Sequence, residues 1–132
     1  MPKILVAAYG GGHARLLAPV VRMLNARGYE TTVLGLTLGR SVFDQEGITA
    51  YTLADILQQS DRWAEIVRLG EQLVHAEDVH PEVGLLDSVV YMGSGFLDLS
   101  EQYGPSEAME RYQALGRKAF DPVTTAREIL EL

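Results

Sequence analysis

Two kinds of apolar pattern run along this chain, and the change from one to the other near residue 52 organises it. Ile4, Leu5, Val6, Ala7 and Ala8 form an unbroken apolar run, the pattern of a strand covered on both faces. Leu16, Leu17, Val20, Val21 and Leu24 then recur at helical spacing, and Gly28 stands just past Arg27 where such a helix would stop. Pro19 falls inside that helix and leaves the carbonyl of Arg15 without its partner, which predicts a late start or a bend. Residues 30–36, with Thr31, Thr32, Val33 and Leu34, are rich in β-branched side chains and read as a second strand. The right-handed crossover rule places the helix on one face of a parallel pair.

Residues 37–40 read as a loop, 41–46 as a short helix ended by Gly47, and 48–52 as a short, partly polar third strand at an edge. Beyond that point the pattern is helical. Trp63, Ile66, Val67, Leu73 and Val74 share one face, with Arg62, Glu65, Arg68 and Glu71 mostly on the other. Pro81 opens a segment through Leu85, Leu86, Val89 and Val90, which Gly93-Ser94-Gly95 is expected to interrupt before it resumes over 96–103. Gly104-Pro105 starts a helix over about 106–120, and Asp121-Pro122 supplies an N-cap and first-position proline for a last one carrying Val123, Ala126, Ile129 and Leu130.

The expected fold class is α/β: a Rossmann-like three-layer domain with a short parallel sheet of about three strands and a helical C-terminal half. Residues 1–52 form the strand-helix-strand core and 53–132 a helical cap or insertion. With its first strand at one margin, such a sheet leaves an open edge that another strand should cover. A complete doubly wound domain would place a fourth strand there. The expectation is therefore an incomplete domain, either the N-terminal part of a longer enzyme or a chain that completes its sheet with a partner, and homo-oligomerisation through the first-strand edge follows from the same reasoning.

Composition narrows the partners. Acidic residues number 18 against 11 basic ones, which argues against nucleic acid as the main partner and against anionic membrane, since both need a basic surface. The absence of cysteine excludes disulfides and thiolate chemistry. The apolar N-terminal run falls well short of the ~20 residues of a membrane-spanning helix and lacks a signal-peptide pattern. No transmembrane segment and a cytoplasmic location are expected.

The chemistry concentrates at Gly10-Gly11-Gly12-His13-Ala14-Arg15, where the first strand hands over to the first helix. Glycines there let backbone approach a ligand, and the helix start offers free N–H groups and partial positive charge, a setting for phosphate or diphosphate. The alternative is a tight turn with no ligand. A dinucleotide fingerprint fails because Arg15 stands where its last glycine belongs and Gly35-Leu36-Thr37 where its acidic residue belongs. A P-loop fails because no lysine lies between Lys3 and Lys118. His13 is a candidate catalytic base or diphosphate ligand, or else lines the loop. Arg15 is either an anion clamp or a solvated first-turn residue. His75, Glu77, Asp78 and His80 lack the spacing that sets two ligands on one helix face, and a solvated acidic loop is the favoured reading, so no metal and no cofactor are expected.

Residues 4–8, the Gly10-Gly11-Gly12-His13 loop, the helix to Arg27-Gly28-Tyr29 and the strand Thr32-Val33-Leu34-Gly35 together resemble the opening of GT-B-fold glycosyltransferases and of the nucleotide-sugar 2-epimerases that share that fold. The resemblance covers about the first 40 residues. It implies a phosphorylated or sugar-nucleotide small molecule at Gly10, Gly11, Gly12, His13 and Arg15. It also implies an acceptor-side domain that needs a C-terminal donor domain or second subunit for turnover. The helical stretch from Asp55 onward departs from that pattern.

Overall fold

Strand β1 (Lys3–Tyr9) pairs in parallel with β2 (Glu30–Leu36), Lys3 opposite Glu30 and Tyr9 opposite Leu36, in the computed structural model, which describes residues 2–131. Helix α1 (Gly10–Ala26) makes the crossover. Ile4, Val6 and Ala8 of β1 and Val33 of β2 pack against Ala14, Leu17, Ala18, Val21 and Leu24 of α1. The expectation that β1 is covered on both faces is corrected: Lys3, Leu5, Ala7 and Tyr9 on its other face are exposed. An apolar run shows which side chains a strand carries, whereas cover requires a second layer, and Leu5 and Tyr9 stay 39% and 47% exposed.

Helix α1 also starts earlier than Pro19 suggests, at the first glycine, and continues through the proline. One missing hydrogen bond is outweighed by the fully buried Ala14, Ala18 and Val21 on its packed face. Its end is a Schellman motif: Gly28, at φ +87°, donates to Asn25 O and Tyr29 to Leu24 O. Helix α2 (Gly39–Gln45) closes in the same way, with Gly47 donating to Asp44 O and Ile48 to Phe43 O.

The expected third strand over 48–52 is reduced to one bridging residue. Tyr51 donates to Val33 O and its own carbonyl accepts from Gly35 N–H, joining it in parallel beside Leu34. The two ends of the 48–52 stretch are committed elsewhere. The Ile48 N–H belongs to the cap of α2, and Thr52 N–H goes to the Asp55 carboxylate while Thr52 Oγ1 accepts from Asp55 N–H. That reciprocal capping box starts α3 (Leu53–Leu57) two residues after the bridge. The sheet among the described residues is thus two-stranded.

The chain divides into two compact units, one of residues up to Asp55 with His80–Gly84, the other of Ile56–Val79 with the residues from Leu85 onward. The first holds the sheet. The second is built on α4 (Trp63–Leu73), α5 (Leu85–Tyr103), α6 (Pro105–Leu115) and α7 (Val123–Leu130), with 3-10 turns at Ala76–Asp78 and Gly116–Ala119. The expected interruption at Gly93-Ser94-Gly95 is absent, and α5 runs through it as one helix of 19 residues. These glycines serve packing. A Cβ on Gly93 would fall on the Ile66 carbonyl, one on Gly70 would fall on the Val89 carbonyl, and one on Gly95 would enter the ring of Phe120. The backbones of α4 and α5 thus meet directly, which offsets the ~1 kcal/mol that each glycine costs a helix relative to alanine. Phe120 stacks on Tyr112 at 5.7 Å, and Phe96 meets Tyr112 edge-on at 6.0 Å.

One cation ties this unit together. Arg62, at the N-cap of α4, pairs with the buried Asp98 and with Glu101 of α5 (3.0 Å), and with Glu128 of α7 at 2.8 Å. Asp98 also accepts the Thr125 N–H in the first turn of α7 at 3.0 Å, capping a helix that no side chain of its own caps. Burial acts to lower the Arg62 pKa, but hydrogen bonds to Glu128 and Asp98 and the charges of Asp98 and Glu101 hold it above its ordinary value.

Arg62→Met is expected to destabilise the chain by about 3–5 kcal/mol in urea unfolding, because Asp98 is left as an uncompensated buried charge. Gly93→Ala should cost about 1–3 kcal/mol in the same measurement through forced separation of α4 and α5, despite the better helix propensity of alanine.

Candidate functional site

The carboxyl ends of β1 and β2 lie side by side, since Tyr9 and Leu36 are in register. Each strand leaves the sheet through a left-handed residue: Gly10 at φ +81° after β1, and Thr37 at φ +53° after β2. Glycine takes that conformation freely, but a β-branched threonine does so only where its surroundings impose it. They do so here through α2. Gly39 sits so close that a Cβ on it would lie 3.0 Å from Ala8 O and 3.4 Å from Gly10 O, and a Cβ on Gly35 would lie 2.5 Å from Arg40 N. The start of α2 is thereby pressed against the ends of both strands, and the reversal at Thr37 that allows this is strained.

The three glycines of the turn have separate roles. Gly10 supplies a positive φ. Gly11 lies against α2, with Val42 Cγ2 at 3.3 Å from where its Cβ would be. Gly12 has neither a left-handed φ nor, apart from its chain neighbours and the backbone of its own helix, any described atom within 4 Å of that position. Nothing among the described residues calls for glycine at residue 12.

The sequence-predicted loop is the first turn of α1 itself. Tyr9 is its N-cap in extended conformation, no side chain caps it, and its first turn holds no acidic residue. Its N–H groups and partial positive charge are therefore not neutralised by local side chains. His13 and Arg15 are both exposed. Two residues apart on a helix, they project from opposite flanks and form no joint clamp. Arg40, the other cation near the strand ends, is engaged by Asp44 at 3.4 Å and Asp55 at 3.7 Å. His75, Glu77, Asp78 and His80 are all exposed, and among the described residues no group of three His, Asp or Glu side chains is placed to hold a metal ion. His80 Nδ1 accepts the Glu82 N–H, and Glu82 accepts from the Ser41 hydroxyl at 3.1 Å.

Sequence reasoning missed the strain at Thr37 and the packing role of Gly35 and Gly39. Threonine after a strand carries no signal for a left-handed φ, and glycine within and after a strand reads as a turn marker rather than a close approach. The Thr52-x-x-Asp55 capping box did carry a signal in the residues, which the reading of 48–52 as a strand passed over.

No family model, curated protein or solved structure matches the chain. No helix among the described residues is long and apolar enough to cross a membrane.

Alanine substitution separates the glycine roles. Gly10→Ala should lose about 1–2 kcal/mol in thermal or urea unfolding from the left-handed backbone. Gly12→Ala should be neutral or gain up to ~1 kcal/mol from helix propensity.

Proposed function

We propose that the first turn of α1 binds the phosphate of a phosphorylated or sugar-nucleotide ligand. On this reading the chain is the acceptor-side, Rossmann-like domain of a glycosyltransferase-like enzyme of the GT-B type, acting with nucleotide-sugar donors and completed by a further domain or a second subunit. The observation that supports the reading is Gly12, a glycine that neither conformation nor packing requires, at an uncapped helix start. Glycine in a helix is unfavourable relative to alanine by ~1 kcal/mol, and what it leaves open is room for an anion to reach backbone N–H groups. The buttressing of the turn by Gly39 and Val42 keeps that turn in place, which lowers the cost of ordering it around a ligand.

His13 is the residue of the turn with proton-transfer chemistry. Its exposure suits a role completed by a substrate or a second domain closing over it. Arg15, on the other flank of α1, adds positive charge near the helix start rather than a second arm. A second reading, an assembly module that completes its sheet with a partner chain, is favoured by the edge of β1, which no strand among the described residues covers.

Titration of the isotope-labelled chain with UDP, UDP-sugars and inorganic phosphate should produce saturable amide shifts centred on Gly11, Gly12 and His13. Gly12→Ala should abolish those shifts without loss of stability. Absence of any response to all three probes would refute the phosphate site, and a response to phosphate without preference for the nucleotides would favour a simple binding module over the glycosyltransferase reading.

A further inference from the structure

Helix α1 buries one face and leaves a second apolar stripe uncovered. Leu16, Val20 and Met23, at i, i+4 and i+7, are 72%, 44% and 55% exposed, whereas most soluble helices present polar side chains to water. The position of this stripe follows from two contacts. Arg22 reaches Glu46 at the end of α2 with a 2.8 Å ion pair, so that flank of α1 faces α2. Val20 and the half-buried Leu17 and Leu24 lie on the flank away from α2. The sheet runs in the order β1, β2, Tyr51, so the flank away from α2 overhangs the uncovered edge of β1. Helix stripe and strand edge therefore share one margin.

We infer that this margin is a two-fold interface with a second copy of the chain, in which β1 pairs antiparallel with its twin about Val6 and the two α1 helices pack through Val20. The register is self-complementary. A two-fold axis normal to the sheet, midway between the two copies of Val6, keeps all seven residues of β1 paired. It sets Leu5 opposite Ala7 of the second copy and Ile4 opposite Ala8, each on the face it already occupies. It also keeps both α1 helices on the same face. Because α1 packs on both β1 and β2, its axis lies about one strand spacing from the two-fold axis. Twice the strand spacing of about 4.8 Å places the helices about 10 Å apart, within the ~8–10 Å of close helix packing. One operation thus covers both the strand edge and the Val20 flank of α1.

Charge does not oppose a second copy here. The chain carries a net charge of −7, yet residues 2–29 contain no Asp or Glu. Of the basic residues there, Arg22 is paired with Glu46 and Lys3 lies 4.0 Å from Glu30. Two copies of an acidic chain approach at this margin without apposing carboxylates. A lipid surface would suit the stripe but offers nothing to the backbone groups of a strand edge. The margin is about 25 Å long, from the 17 residues of α1, and about 20 Å high, from two layers roughly 10 Å apart. That is about 500 Å² per copy, below the ~800 Å² typical of a stable complex. The dimer is consequently a weak, reversible one.

The inference rests on the open strand edge and is independent of the phosphate reading, because its test measures association without ligand. Sedimentation velocity over micromolar to millimolar concentration should show a reversible monomer–dimer equilibrium. Val20→Glu should raise the dissociation constant at least about tenfold, with circular dichroism confirming an unchanged fold. Since the chain has no cysteine, Val20→Cys should form a disulfide-linked dimer under mild oxidation while Arg15→Cys does not. A strict monomer at all concentrations overturns the inference, as does a dimer indifferent to Val20→Glu. A monomer that instead sediments with phosphatidylserine vesicles in a Val20-dependent way overturns it in favour of a membrane-facing stripe.

Discussion

Direct backbone contact, possible only where a Cβ is missing, is the constraint on which both units of this protein depend. In the first, Gly35 and Gly39 let the start of α2 press on the ends of β1 and β2. In the second, Gly70 and Gly93 let α4 and α5 touch main chain to main chain. Any side chain at these places would drive the elements apart, because the atoms it would meet are carbonyls and amides rather than flexible side-chain ends. Such contacts are stiff, and they decide what the rest of the sequence has room to do.

They also sort the glycines by purpose. Most are accounted for by a left-handed φ, as at Gly28 and Gly47, or by a close neighbour, as at Gly93 and Gly95. Gly12 is different, and that difference, rather than the count of glycines in the turn, supports a ligand there. The strained Thr37 belongs to the same junction. It marks the point where the chain must reverse so that Gly39 reaches Ala8 O and Gly10 O. Local strain is held in place by packing that would be lost if the backbone relaxed.

Polar interactions act by linkage rather than number. Arg62 gathers carboxylates from α5 and α7, and Asp98 in turn supplies the cap that α7 lacks. A buried pair of this kind adds little net stability against an apolar replacement, but it penalises arrangements in which either partner is left alone. The sheet unit shows the opposite condition at its margin, where no strand among the described residues pairs with the outer edge of β1 and the apolar Leu16, Val20 and Met23 are exposed. These are the features by which a chain is open to association.

Much of the local structure was legible in the residues. The parallel pair with its helical crossover followed from the apolar run at residues 4–8, the period of α1 and the β-branched stretch at Thr31–Leu34. The helix stops followed from Gly28 and Gly47, since only glycine enters the left-handed cap at no steric cost. What tertiary structure alone decided was every question of cover and contact: that β1 has one wet face, that residues 48–52 pair through Tyr51 only, that α5 runs unbroken through Gly93-Ser94-Gly95, and that Gly12 stands free. The physical reason is common to all of these. Periodicity and capping act between neighbours in sequence, whereas the meaning of a glycine or an apolar side chain depends on which distant atom lies beside it, and that is settled only when the elements pack.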